Sequence, residues 1–190
     1  MNHFILLIIT LLIALHLGAQ TPTFPTPFAP PCRWSNDLPT IEHALAFDTL
    51  LKYRPAELQP WMPAKPLLTV SARLYVHQAK TYLQLRFSFS VPQAQTYYGR
   101  IMTDYLVRII LLNGDKIYLP VVRNYPPSTL GSSAQYQIDL QVKDNALNAL
   151  RQHGIDKIGL FWETGYEEYD VRYVDVLRNQ ALCLQLNSKK

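Results

Sequence analysis

Residues 67–90 read LLTVSARLYVHQAKTYLQLRFSFS, and the alternation in this stretch decides the fold. In its second half Leu83, Leu85, Phe87 and Phe89 alternate with Gln84, Arg86 and Ser88. Successive side chains of a strand point to opposite faces, so the pattern sorts apolar residues to one face and polar residues to the other. It predicts two strands, over 67–76 and 81–90, joined by HQAK, with one face buried and one wet.

Further along the chain, DYLVRIILL (104–112) is apolar on both faces apart from Arg108, as a central strand is. Asn113-Gly114 separates it from DKIYLPVV. Asn-Gly between two such runs predicts a hairpin with a type I′ turn, which needs positive φ at both central positions. Pro120 puts the second strand at an edge or a bulge. RNYPPSTLGSSA (123–134) reads as a loop and QYQIDLQV (135–142) as a strand. Asp144 is placed to cap a short helix, NALNALRQH, with Gly154 as its C-terminal stop. The chain then returns in DKIGLFWE and YEEYDVRYV, with Thr164-Gly165 as a tight turn. Beyond it Tyr169, Val171 and Tyr173 point one way, and Glu168, Asp170 and Arg172 the other. The aromatics of this hairpin read as cross-strand packing rather than a platform. From Asp175 onward, Leu177, Ala181 and Leu184 are spaced for a closing helix.

Towards the N-terminus, IEHALAFDTLLKY (41–53) fits a helical stripe capped by Thr40 or a strand carrying Ile41, His43, Leu45 and Phe47 on one face. The strand is the preferred reading. Pro55, Pro60, Pro63 and Pro66 then break the chain. Residues 20–39 hold six prolines and read as an extended spacer. Phe4–Leu17 is almost wholly apolar and lacks Asp, Glu, Lys and Arg. It is shorter than the ~20 residues of a bilayer span, and Gly18, Ala19 and Gln20 follow it. It reads as a signal peptide ending at Ala19, the alternative being an uncleaved anchor. No other stretch is long and apolar enough to span a membrane.

The expected organisation is a signal peptide over 1–19, a proline-rich segment over 20–39 and a single β-rich domain over 40–188. The expected fold class is mainly β, an antiparallel β-sandwich or bent sheet with one short helix and a C-terminal helix. The expected location is outside the cytoplasm: periplasmic, cell-surface or extracellular. Cys32 and Cys183 are the two cysteines. In an exported chain they read as one disulfide, with free thiols as the alternative.

Several chemistries lose support. The net charge is +4, but the 18 Lys and Arg are scattered, and only Lys189-Lys190 are adjacent. No basic stripe or nucleic-acid module is present. His43, His77 and His153 form no ligand-spaced unit, so no metal is expected. No nucleophile elbow and no glycine-rich phosphate loop occur, and no cofactor is expected. Glu163 with Glu168, or Asp104 with Asp139, are the acid pairs a glycosidase would need, and solvated strand charges account for them. No catalytic residue is assigned.

The functional lead is the aromatic content, 12% of the chain. Tyr97 and Tyr98 beside Gly99, Tyr125 before two prolines, and Trp34 and Trp61 in proline-rich segments lie outside the expected strands. Exposed Tyr and Trp in loops mark contact sites for glycans or proteins. Packing of those loops onto the sandwich is the alternative.

The signal ending in LGAQ, the N-terminal cysteine segment, the LLNGDKIYL hairpin, the KDNALNALRQHGIDKIGLF helix-to-strand unit and the final cysteine-bearing helix resemble a loose group of small uncharacterised secreted proteins of Bacteroidota. The resemblance covers roughly residues 67–186 as architecture and implies a fold, with no catalytic residues. The sequence thus leads to a non-enzymatic exported binding or structural module of the cell envelope or surface, with a glycan or envelope protein as partner. A glycan-binding module using the loop aromatics is the alternative, and a hydrolase of envelope polymers the third reading.

Overall fold

The structure is a computed structural model that describes residues 31–35, 43–54, 67–91, 93–131 and 133–187. The signal peptide expected over 1–19, most of the proline-rich segment and Trp61 lie outside the described residues.

Two antiparallel sheets pack face to face. Strands β1 (Trp34–Ser35), β2 (His43–Leu45), β3 (Asp48–Tyr53), β4 (Leu68–His77), β5 (Lys80–Phe89), β8 (Val121–Leu130) and β9 (Ser133–Val142) form the first. Its order is β1-β2-β4-β5-β9-β8, with β3 also paired to β4. Strands β6 (Val107–Leu111), β7 (Lys116–Leu119), β10 (Ile155–Trp162) and β11 (Gly165–Asp170) form the second, in the order β11-β10-β6-β7. Three helices complete the described chain: α1 (Ala94–Tyr98), α2 (Asp144–Gln152) and α3 (Val176–Asn187).

The stretch 67–90 folds as its alternation predicts. Leu74↔Leu83, Ala72↔Leu85, Val70↔Phe87 and Leu68↔Phe89 are cross-strand pairs, and all are buried. The next strand continues these rows with Leu140, Ile138, Tyr136 and Ala134. The facing sheet answers with Ile109, Ile117, Ile158, Leu160 and Trp162. Trp162 is the hub: its ring meets Phe87 at 5.5 Å, Phe89 at 5.8 Å and Tyr136 at 5.0 Å, each edge to face. Its indole N–H donates to Tyr169 Oη at 3.0 Å, so no polar atom of the ring is stranded in the core.

Of residues 41–53, the described part, 43–53, resolves as strand in two pieces, β2 and β3. Ala44 pairs with Tyr75 and Asp48 with Ala72. Four steps on one strand thus oppose three on the other, which is a bulge. Gln180 of α3 fills the break. It accepts from Leu74 N–H at 2.8 Å and donates to Asp48 Oδ2 at 2.9 Å and to Ala72 C=O at 3.3 Å. Leu177, Ala181 and Leu184 of α3 are buried, as their spacing predicts. Cys183 on the same helix is bonded to Cys32, with Cα atoms 5.6 Å apart.

Several expectations are corrected. Most of 123–134, read as a loop, is the edge strand β8; its register shifts between Tyr125 and Ser128, around Pro126-Pro127. An edge tolerates prolines because the missing N–H would face outward. The Asn113-Gly114 turn has one left-handed residue, Gly114 at φ +87°, rather than two; Asn113 instead bonds Asp115 through its side chain at 3.1 and 2.7 Å. The two-residue left-handed turn falls at Gln78 (φ +50°) and Ala79 (φ +57°). Asp144 lies inside the first turn of α2, and Lys143 occupies the cap position without a side-chain bond. The helix ends in an extended His153. Gly154 serves close approach, since a Cβ there would meet Val174 O at 3.1 Å. Trp162 pairs with Gly165, so the tight turn is Glu163-Thr164. The one-turn α1 was not expected.

The outer face of β5 is only partly wet. Arg73, Gln84, Asp139 and Arg123 form one row across four strands, and the first three are buried. Gln84 donates to Asp139 Oδ1 at 2.6 Å and accepts from Arg73 Nε at 2.8 Å. Phe47, displaced at the bulge, lies under the guanidinium groups of Arg73 and Arg86, 4.3 and 3.8 Å from its centroid.

Candidate functional site

The structure separates the aromatic residues singled out by the sequence. Tyr97 is 70% exposed on α1, edge-on to Tyr98 at 5.0 Å. Tyr98 is a packing residue, 4.6 Å from Phe89 and 5.2 Å from Trp162. Burial, reinforced by Glu167, pushes its phenol up to about 12. Tyr125 sits on edge strand β8, and its hydroxyl donates to Asp139 Oδ2 at 2.9 Å. Trp34 lies on β1, edge-on to His43 at 6.0 Å. Tyr97 and Tyr98, Tyr125, and Trp34 thus lie on three different elements with no ring contact joining them from one element to another, and Trp61 lies outside the described residues.

The acid pairs also separate. Glu168 is engaged by Arg108 and Lys157, whereas Glu163 lies against Gly99, where a Cβ would overlap its carboxylate. Asp139 is 1% exposed within the first sheet, and Asp104 lies in a turn before β6. Among the described residues no cluster of His, Cys, Asp and Glu could hold a metal ion.

A different surface does converge: the outer face of the four-stranded sheet. Tyr118, Arg108, Gly159 and Glu168 are directly opposite one another across β7, β6, β10 and β11, and directly opposed residues share a face. Phe161 pairs with Tyr166 one pleat along. Tyr105, from the turn before β6, stacks on Phe161 at 4.2 Å with planes 26° apart, and Phe161 meets Tyr166 at 5.0 Å. Tyr105, Tyr118 and Tyr166 are 48, 53 and 39% exposed.

Gly159 explains how Tyr166 reaches across the strand. A Cβ at 159 would fall 2.6 Å from Tyr166 Cζ, so only glycine lets the ring lie over β10. The guanidinium of Arg108 stands 5.0 Å from the Tyr166 centroid, and the Tyr166 hydroxyl donates to Glu168 Oε2 at 3.1 Å.

The charges of this face are matched. Glu168 accepts from Arg108 and lies 3.6 Å from Lys157 Nζ, which itself reaches Asp170 at 3.1 Å. Partial burial pushes the Glu168 carboxyl up, but the Arg108 and Tyr166 hydrogen bonds and the nearby cations outweigh it and hold the carboxyl below its ordinary value. Burial, with the hydrogen bond to Glu168, raises the Tyr166 phenol. At one end the row reaches a cleft of about 670 Å³, lined by Tyr118, Leu106, Leu119, Lys143, Ala146 and Ala149, between β7 and α2.

Sequence reasoning read Phe161 and Tyr166 as packing residues and passed over Tyr105 and Tyr118. The available signal was Gly159, a glycine inside an apolar strand two positions before an aromatic. Comparison with family models, curated proteins and solved structures finds no match for this chain.

Proposed function

We propose that the protein is a non-enzymatic exported binding module of the cell envelope or surface. Its binding surface is the outer face of the four-stranded sheet. The observation that carries the reading is the set of exposed rings on that one face, Tyr105, Tyr118 and Tyr166, with Phe161 between Tyr105 and Tyr166. Scattered exposed aromatics are ordinary, but several gathered on one sheet face mark a contact surface. The two acids on the strands of this face, Glu168 and Asp170, are tied into ion pairs, so the reading gives neither a proton to move. The apolar N-terminus and the disulfide support export. No helix among the described residues is long and apolar enough to cross a membrane.

The test is co-sedimentation with isolated cell envelopes. The unaltered protein should pellet with them, Tyr105→Ala/Tyr118→Ala should stay in the supernatant with an unchanged melting temperature, and Tyr97→Ala should pellet normally. Equal pelleting of all three, or no pelleting of any, contradicts the assignment.

A further inference from the structure

The geometry points to an uncharged polysaccharide chain as the ligand of the four-stranded sheet's outer face, an inference that rests on the reading of that face as the binding surface. The argument begins with the rings. An aromatic face carries negative quadrupolar charge, and the C–H bonds on one side of a pyranose ring present weak positive charge over an apolar patch. Tyr166 lies over Gly159, and Tyr105 and Tyr118 stand exposed on the same face. The row from Tyr118 to Glu168 crosses four strands, or about 14 Å at the usual strand spacing. That length accommodates several linked sugars and exceeds what one small molecule needs.

The polar groups among the rings select between partners. Arg108, Lys157, Glu168 and Asp170 lie on this face in mutual ion pairs. A flat apolar protein or lipid surface covering them would strip water from four charges and return nothing, a cost that pairing alone does not offset. A hydroxyl-rich chain replaces that water in kind. Its hydroxyls accept from the Arg108 guanidinium and donate to the carboxylates of Glu168 and Asp170 while the sugar rings cover the tyrosines.

The same pairing disfavours an anionic glycan. These four charges sum to zero. An incoming carboxylate or sulfate would find the two cations engaged and two carboxylates beside them. One further cation of this face, Lys116, stands exposed on the edge strand β7, in the row of Lys157 and Asp170. Aromatic rescue of a strand glycine accounts for Tyr166 on its own, but not for Tyr105 and Tyr118, which touch neither Gly159 nor each other in any ring contact found among the described residues.

Affinity electrophoresis with dextran and glucomannan as neutral probes, and alginate and hyaluronate as anionic ones, tests the inference. At least one neutral polysaccharide should retard the protein, equally at 50 and 500 mM NaCl. Tyr105→Ala/Tyr118→Ala and Tyr166→Ala should each weaken that retardation about tenfold or more, the usual effect of losing an anchoring aromatic. Gly159→Val, which displaces the Tyr166 ring, should act like Tyr166→Ala if it folds, and Tyr166→Ala alone decides if it does not. Retardation by the anionic probes only, loss of retardation at 500 mM NaCl, or full retardation of the tyrosine variants overturns the inference. No retardation by either neutral probe overturns it too; continued pelleting with envelopes would then leave the binding module standing, and loss of both removes the two readings together.

Discussion

Leu74 donates its backbone N–H to the side-chain oxygen of Gln180 at 2.8 Å, across 106 positions of sequence. The bond lies where the bulge between β2 and β3 interrupts the ladder along β4, and the Gln180 amide also serves Ala72, Ala46 and Asp48. A closing helix thus finishes the hydrogen bonding of a strand that its neighbours leave incomplete.

Gln180→Leu should therefore destabilise more than its polarity suggests. It strands a buried N–H and a buried C=O on β4, each costing about 1–3 kcal/mol. Urea unfolding should show a loss of roughly 2–4 kcal/mol. A change below about 0.5 kcal/mol would show that water replaces the amide at no cost.

The bond between Cys32 and Cys183 closes a sequence separation of 151 residues. Chain entropy assigns about 4–5 kcal/mol to a loop of that size. Reduction should lower the melting temperature by roughly 10 °C for a domain of this length. An unchanged melting temperature after complete reduction, verified by thiol titration, would contradict this.

Much of the fold was legible because its strands alternate strictly. Leu83, Leu85, Phe87 and Phe89 all lie where period 2 puts them. Alternation shows which residues share a face, not whether the other face is covered, and so Gln84 and Asp139 read as wet. Phe47 and Tyr125, which help enclose that row, come from a bulge and a proline-bearing edge. Neither has a periodic signature. Prolines at 126 and 127 also hid β8, since only an edge position makes them compatible with a strand. The aromatic face was hidden for a related reason: Tyr105, Tyr118, Phe161 and Tyr166 come from four separate segments, and only the register of β7, β6, β10 and β11 brings them together.

The turn between β4 and β5 offers a test of local strain. Gln78 and Ala79 both have positive φ, which costs about 1–2 kcal/mol for each residue with a Cβ. Gln78→Asn/Ala79→Gly should stabilise the protein by about 1 kcal/mol, since part of the gain is offset by unfolded-state entropy. A destabilised double variant in thermal unfolding would show that the turn is held by side-chain contacts instead.

The buried tyrosines predict the alkaline limit of stability. Burial, with Asp139 beside Tyr75 and Glu167 beside Tyr169, raises both phenols, and burial raises Tyr125 as well. A phenol whose pKa is raised by folding contributes stability that is complete below the unfolded value of about 10 and is lost as pH rises above it. Stability should fall from pH 10 upward, and Tyr98, raised to about 12, adds to the loss. A fraction of the 295 nm phenolate absorbance should appear only as the fold is lost. Titration of all twelve tyrosines near pH 10 with the fold intact would contradict the raised phenols of Tyr75, Tyr98, Tyr125 and Tyr169.

Hydroxyl-radical footprinting in the presence of isolated envelopes tests the central claim most directly, because it reads the exposure of individual side chains. Tyr105, Tyr118 and Tyr166 should lose most of their oxidation when envelopes are added, while Tyr97 on α1 and Trp34 on β1, both exposed, should oxidise as before. Protection centred on Tyr97 or Trp34, with Tyr105, Tyr118 and Tyr166 unchanged, would place the binding surface elsewhere and contradict the account.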